Sequence, residues 1–239
     1  MNSNEIKLPT EKKDSWKFFD EIAGTYDPIN KVLSFGTDIL WRKNFRKHLP
    51  DQRDLQCLDL ATGTADVAIE LARDEKVKHV TATDLSEKML EIGKQKVQKM
   101  HMEDKVTIEV GDGVIIPSPD QSMDVITVSF GIRNFKDYKT SLSNMIRVLK
   151  PGGRVMILEF SLPRNRLFRK LYLFYFRTIL PKIGNLLSKH PFAYSYLNKT
   201  VETFPYGEEF VQAMKDTGFR DIQAHPLTFG IATFYIGIK

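Results

Sequence analysis

The stretch from Leu55 to Leu71, LQCLDLATGTADVAIEL, restricts the fold of this chain more than any other. A short apolar run ends at Asp59 and Leu60, a small-residue turn follows (Ala61, Thr62, Gly63, Thr64, Ala65), and helical spacing resumes at Val67, Ile69 and Leu71. That succession predicts a strand, a tight loop and a helix. In a parallel α/β sheet such a junction lies at the carboxyl end of a strand. There the helix offers free N–H groups and small residues let a ligand approach the backbone, so a nucleotide-like molecule fits. No Gly-Lys-Ser/Thr follows, which excludes a P-loop, and Ala65 stands where a dinucleotide fingerprint has its second glycine. Alone, the stretch is equally an ordinary strand-to-helix turn.

The following elements favour the binding reading. A second strand, His79 to Thr83, ends in Asp84, Leu85 and Ser86. A carboxylate at that point accepts hydrogen bonds from both hydroxyls of a ribose, although it also suits the cap of the next helix. The third strand, Lys105 to Val110, ends in Gly111-Asp112-Gly113, and the fourth, Met123 to Val128, in Ser129-Phe130-Gly131. Four successive strands thus finish in small or acidic residues along one edge, a binding rim. The alternation of strand and helix from Leu55 to Leu149 predicts a parallel sheet with helices on both faces. Pro151-Gly152-Gly153 reads as a turn before a fifth strand, Arg154 to Phe160, and Asp221 to Leu227 and Gly230 to Ile238 read as two more.

Met1 to Lys13 is polar and lysine-rich, with the character of a mobile tail. Two amphipathic helices are expected next, one carrying Trp16, Phe19, Ile22 and Tyr26, the other Ile39, Leu40, Phe45 and Leu49, separated by Asp27-Pro28 and Phe35-Gly36. Between the fifth and sixth strands lies a long insertion, 162–207. The formal charge of +5 is unevenly placed: Phe160 to Val201 holds eight Lys/Arg and no Asp or Glu, which leaves the remainder at −3 by subtraction. The aromatic and basic mixture suits a helix that covers an apolar substrate while its cations face water or anionic headgroups, or else a solvated face over a core helix. No run approaches the roughly 18–20 apolar residues of a membrane span, and no apolar segment of a secretory signal opens the chain. A soluble or peripheral protein is expected. The lone Cys57 forms no intrachain disulfide and suits a reducing cytoplasm. His79, His101, His190 and His225 lack ligand spacing, so no metal is expected.

The motifs DLATGTAD, ATDLS, GDG, SFGIRNFKD, LKPGGR and LEFSLP resemble those of class I S-adenosylmethionine-dependent methyltransferases. More narrowly, FDEIAGTYDPINKVLSFGTDILWRK, SFGIRNF and YSYLNKTVETFP resemble the ubiquinone/menaquinone biosynthesis C-methyltransferases, over nearly the whole chain from Phe18 onward. The resemblance implies an α/β, Rossmann-like seven-stranded sheet of order 3-2-1-4-5-7-6 with one antiparallel addition, and an N-terminal helical lid. It divides a single domain into a tail and lid, 1–50, and an S-adenosylmethionine-binding core, 51–239, with the helical insertion 162–207.

It also implies S-adenosylmethionine as cofactor and C-methylation of a polyprenyl quinol ring, most readily demethylmenaquinol, or the benzoquinol of the ubiquinone pathway. By residue matching, Asp59, Gly63 and Thr64 serve the methionine moiety, Asp84 the ribose, Asp112 and Gly113 the adenine, and Ser129 the sulfonium end. Ala65 replaces a glycine common in the superfamily and would narrow the cofactor's approach. Arg133, just beyond the fourth strand, is the leading catalytic candidate. Its fixed charge favours the phenolate that activates the ring carbon, unless it only forms a salt bridge with Asp137 or Glu159. Tyr26 would relay a proton or position the ring, and Asn134 would cap the turn.

The partners implied are a polyprenyl quinol and a membrane surface met through 164–189, with no nucleic acid and a homo-oligomer left open, in the cytoplasm at the inner face of the membrane. The competing reading is a non-catalytic S-adenosylmethionine- or lipid-binding subunit that docks to a membrane or to other proteins.

Overall fold

The structure is a computed structural model and describes residues 15–179, 198 and 200–239. The expected tail and residues 180–197 of the insertion lie outside the described residues. Seven strands form one sheet in the order β3-β2-β1-β4-β5-β7-β6. In chain order they are β1 Leu55–Leu60, β2 Val77–Asp84, β3 Val106–Val110, β4 Met123–Ser129, β5 Leu149–Phe160, β6 Arg220–Leu227 and β7 Ala232–Ile238. The first five run parallel, and β7 pairs antiparallel with both β5 and β6. The expected order and the antiparallel addition are both present.

The helices before β6 are α1 Ser15–Leu33, α2 Thr37–Lys47, α3 Asp66–Ala72, α4 Glu87–Lys99, α5 Tyr138–Val148 and α6 Arg166–Phe174; α7, Glu208–Thr217, precedes β6. Alternate residues of the central strands divide the core into two layers. Cys57, Val125, Met156 and Phe234 pack with α2 and α3, whereas Leu58, Ile126, Val155, Ile157 and Tyr235 pack with α5 and α7. Strands buried on both faces explain the near-continuous apolar runs VITV and VMIL. A third, smaller cluster joins Phe18 and Ile29 of α1 to Leu162, Tyr172 and Phe176 of the insertion. The N-terminal helix and the insertion therefore share a core of their own at one end of the sheet.

Three local expectations are corrected. Asp27-Pro28 does not end the first helix, because Pro28 lies inside α1; the helix tolerates the one missing N–H where its flanks are packed. In α2 the buried stripe is Trp41 and Phe45, continued by Leu49, at a spacing of four residues, while Ile39 and Leu40 face outward. The Pro-Gly-Gly turn is an irregularity inside β5, which already pairs with β4 at Leu149 and resumes regular register at Arg154.

Candidate active site

The carboxyl ends of β1, β2, β3 and β4 and the buried face of α1 enclose a cavity of about 510 Å³. The turn after β1 contributes Gly63 and the end of β2 contributes Asp84; Asp112 and Gly113 follow β3, and Ser129 ends β4. Five of the seven residues assigned to the cofactor thus meet in one space. Asp84 is braced from both sides, since Gly63 donates its N–H to Oδ2 and Ser86 donates its N–H to Oδ1, each at 2.9 Å. Burial pushes its carboxyl up, against the pull of those hydrogen bonds. Asp112 accepts the Val114 N–H at 2.8 Å, which folds the loop after β3 around the cavity.

Close backbone approach explains the glycines. A Cβ on Gly113 would come within 2.3 Å of the Phe135 ring, and one on Gly131 within 2.5 Å of the Ala61 Cβ. Ala61 and Phe130, at the ends of the two central strands, both adopt left-handed φ values, 51° and 56°. Conformations of this kind in non-glycine residues are concentrated at ligand sites.

Asp59 and Thr64 stand behind the cavity wall. Asp59 is 1% exposed, accepts the Thr62 and Thr127 hydroxyl protons at 2.6 Å each, and is pushed up to about 6 by burial. It ties the turn after β1 to strand β4. Thr64 donates to Asp27 of the lid helix and accepts from Lys96, both at 2.8 Å. Lys96 also contacts Asp27 and Asp66 at 2.6 Å, and Asp20 of α1 accepts from the Ser86 hydroxyl at 2.5 Å. The lid is thereby fastened at both ends of α4. Ala65 does not narrow the site: it is fully buried, and its methyl packs opposite Gly93, where an added Cβ would come within 3.1 Å.

Tyr26 lines the cavity from α1. Burial raises the pKa of its hydroxyl while the charges of Arg42 and Arg133 oppose the shift. Arg133 lies in a single 3₁₀ turn, Ile132–Asn134, one layer behind Phe130. It is 5% exposed and its Nη1 is 2.8 Å from Glu159 Oε1, so the ion-pair partner is Glu159. Asp137 instead caps α5 by accepting the N–H groups of Lys139 and Thr140. Nη1 of Arg133 also donates to the Phe130 carbonyl, the guanidinium lies 5.3 Å from the Phe160 ring centroid, and Nε, although buried, has no partner.

Sequence reasoning did not identify the apolar slot formed by Leu85, Met89, Val114, Ile115 and Phe135. Its only trace in the sequence is apolar residues directly after the acidic strand endings.

The cavity suits S-adenosylmethionine. Its rim carries two carboxylates able to accept hydrogen bonds from hydroxyls and an amino group, an apolar slot can hold a flat base, and the buried Ser129 hydroxyl has no partner within the protein. Residues 7–239 match the ubiE/COQ5 methyltransferase family. The chain belongs to that family. Among its relatives, the ubiquinone/menaquinone biosynthesis C-methyltransferase UbiE of Geobacter sulfurreducens is 46% identical, covering 96% of this chain and 90% of the relative. The demethylmenaquinone methyltransferase of Chlorobaculum parvum is 41% identical, covering 97% and 95%. A solved S-adenosylmethionine-dependent methyltransferase of Thermotoga maritima superposes with a TM-score of 0.65 at 19% identity, covering 94% of this chain and 99% of that one, and so shares the fold. The cofactor of this ubiE/COQ5 family chain is S-adenosylmethionine.

Proposed function

We propose that this chain transfers a methyl group to a ring carbon of a prenylated quinol in the making of menaquinone or ubiquinone. The observation that carries this reading is Arg133, a buried guanidinium with an unpartnered Nε behind the cofactor cavity. S-adenosylmethionine supplies an electrophilic methyl on a sulfonium. Asp84 holds the ribose hydroxyls, Asp112 and Gly113 the adenine edge, and Gly63 and Ser129 the methionine end. Asp59 and Thr64 act one layer out, by fixing the turn and fastening the lid.

The acceptor's ring carbon becomes nucleophilic as its neighbouring hydroxyl loses a proton. Arg133, one layer behind Phe130, favours that phenolate through its charge and not by contact, since arginine is too basic to serve as the base itself. Tyr26 holds the ring or passes the proton. When bound, the sulfonium would give its methyl to that carbon and keep the S–C electron pair, and the ring carbon would then lose its proton to restore aromaticity. The lid and its anchors keep water from the site and align the reactants, so proximity carries much of the acceleration.

The membrane is met through α6, where Leu167, Leu171 and Phe174 are exposed beside Arg166, Arg169 and Lys170. No described helix is long and apolar enough to cross a membrane; the contact in this reading is peripheral, at the inner face of the membrane. The test is incubation with methyl-labelled S-adenosylmethionine and, separately, reduced short-chain demethylmenaquinol and demethyl benzoquinol. Label in an extracted quinol is expected. No label in either, despite saturable cofactor binding, would overturn the assignment.

A further inference from the structure

Methyl transfer leaves a second cavity unexplained. It measures about 320 Å³ and lies between the α1–α2 corner, α6 with the π-helical turn Tyr175–Ile179, and the 3₁₀ turn Thr228–Gly230. Its walls are Trp41, Phe160, Phe168, Leu171, Tyr172 and Phe176, with no charged side chain among the described residues that line it. The Trp41 indole N–H is already used, donating to Thr228 Oγ1 at 2.8 Å. Such a space holds water poorly and takes hydrocarbon.

Two further observations indicate a particular occupant. First, the cavity shares a wall with the cofactor site. Phe160 lines one side and Phe130 the other, with ring centroids 4.4 Å apart, and the Arg133 guanidinium lies against Phe160. A ligand in the second cavity therefore ends against the Phe160 ring, one aromatic pair away from the cofactor cavity. Second, the mouth is strained and apolar. Phe35, Thr228 and Phe229 adopt left-handed φ values of 50°, 44° and 58°, and Phe35 and Phe229 are each 82% exposed. Left-handed backbone at β-branched and aromatic residues is costly and persists at ligand clamps.

We propose that this cavity binds the ring-proximal isoprene units of the acceptor's tail, with the rest of the chain leaving between Phe35 and Phe229. The assignment rests on the acceptor being a prenylated quinol. Its volume, at the small end of ligand sites, suits the first units of a tail and not its whole length.

The test has a binding arm and a turnover arm. Farnesol, an isoprenoid with no ring to methylate, is titrated into the full chain while tryptophan emission is followed. Saturable binding is expected, weakened roughly tenfold or more by Leu171→Arg and within about twofold of wild type in Leu40→Arg, which charges the outer face of α2 away from the cavity. In turnover, kcat/KM for a diprenyl acceptor should exceed that for the tail-less quinol roughly tenfold, and this ratio should fall toward one in Leu171→Arg only. Farnesol binding that survives Leu171→Arg, or equal losses in both variants, overturns the cavity assignment. Cavity-dependent farnesol binding without methylation of any quinol supports the isoprenoid site and refutes the reaction.

Discussion

Replacing Glu159 by leucine strands the Arg133 guanidinium where the arginine is 5% and the glutamate 1% exposed. The 2.8 Å ion pair is lost, together with the acceptors of the Arg133 backbone N–H at 3.4 Å and the Phe160 N–H at 2.8 Å. An uncompensated buried charge costs about 3–5 kcal/mol, which in a chain of this length lowers Tm by roughly 6–20 °C. Arg133→Met should cost a similar amount, because it leaves the Glu159 carboxylate in the same surroundings. The double variant removes both charges and should recover most of that loss, retaining about 1–2 kcal/mol for the two orphaned N–H groups.

Turnover should not follow stability. Both variants without the guanidinium are expected to lose transfer by roughly 10²–10⁴-fold, with cofactor affinity within about threefold of wild type. Urea melts, calorimetry with S-adenosylmethionine and label transfer give the three readouts. A double variant that regains turnover along with stability would reduce Arg133 to a strut and refute its catalytic role. Additive destabilisation of the two single variants would refute the ion-pair reading.

Three other perturbations test the cofactor site. Gly113→Ala places a methyl 2.3 Å from the Phe135 ring; a loss of about 1–3 kcal/mol and weaker cofactor binding are expected, and an unchanged melt would contradict the packing. Asp84→Ala removes the acceptor of the Gly63 and Ser86 N–H groups and should weaken S-adenosylmethionine binding roughly tenfold or more by calorimetry. Asp59, held at about 6 in the fold against an ordinary 3.8, retains a proton that the unfolded chain releases. Stability should therefore decline as pH rises between those values, by ~3 kcal/mol. Asp59→Asn should flatten that slope in urea melts at about pH 4 and about pH 7, leaving the contribution of Asp84, whose carboxyl burial also raises, and a decline as steep as wild type's in the variant would show that the slope originates elsewhere.

Much of the fold, and the convergence of the candidate site's rim, was legible because its information is local. Parallel strands buried on both faces appear as apolar runs, and a strand's last residue lies next in sequence to the loop that meets the ligand. Asp84, Asp112, Gly113 and Ser129 could therefore be placed from their positions alone, and they converge in the structure. Helix faces were less legible. Ile39 and Leu40 are as apolar as Phe45, and only the packing of α2 on the sheet decides that Trp41 and Phe45 turn inward.

The sequence by itself determined the strand succession, the family motifs and the acidic rim of this chain, each encoded within a few neighbouring residues. Tertiary structure alone decided what lies in front of the wall and what lies behind it. Pairing of Ser129 with Leu158 across β4 and β5 brings Glu159 beside Arg133 from 26 residues away. Burial removes Asp59 and Thr64 from the cavity surface, and packing of α1, α2 and α6 forms the apolar cavity. These features depend on contacts between segments distant in sequence, and neither spacing nor composition along the chain records such contacts.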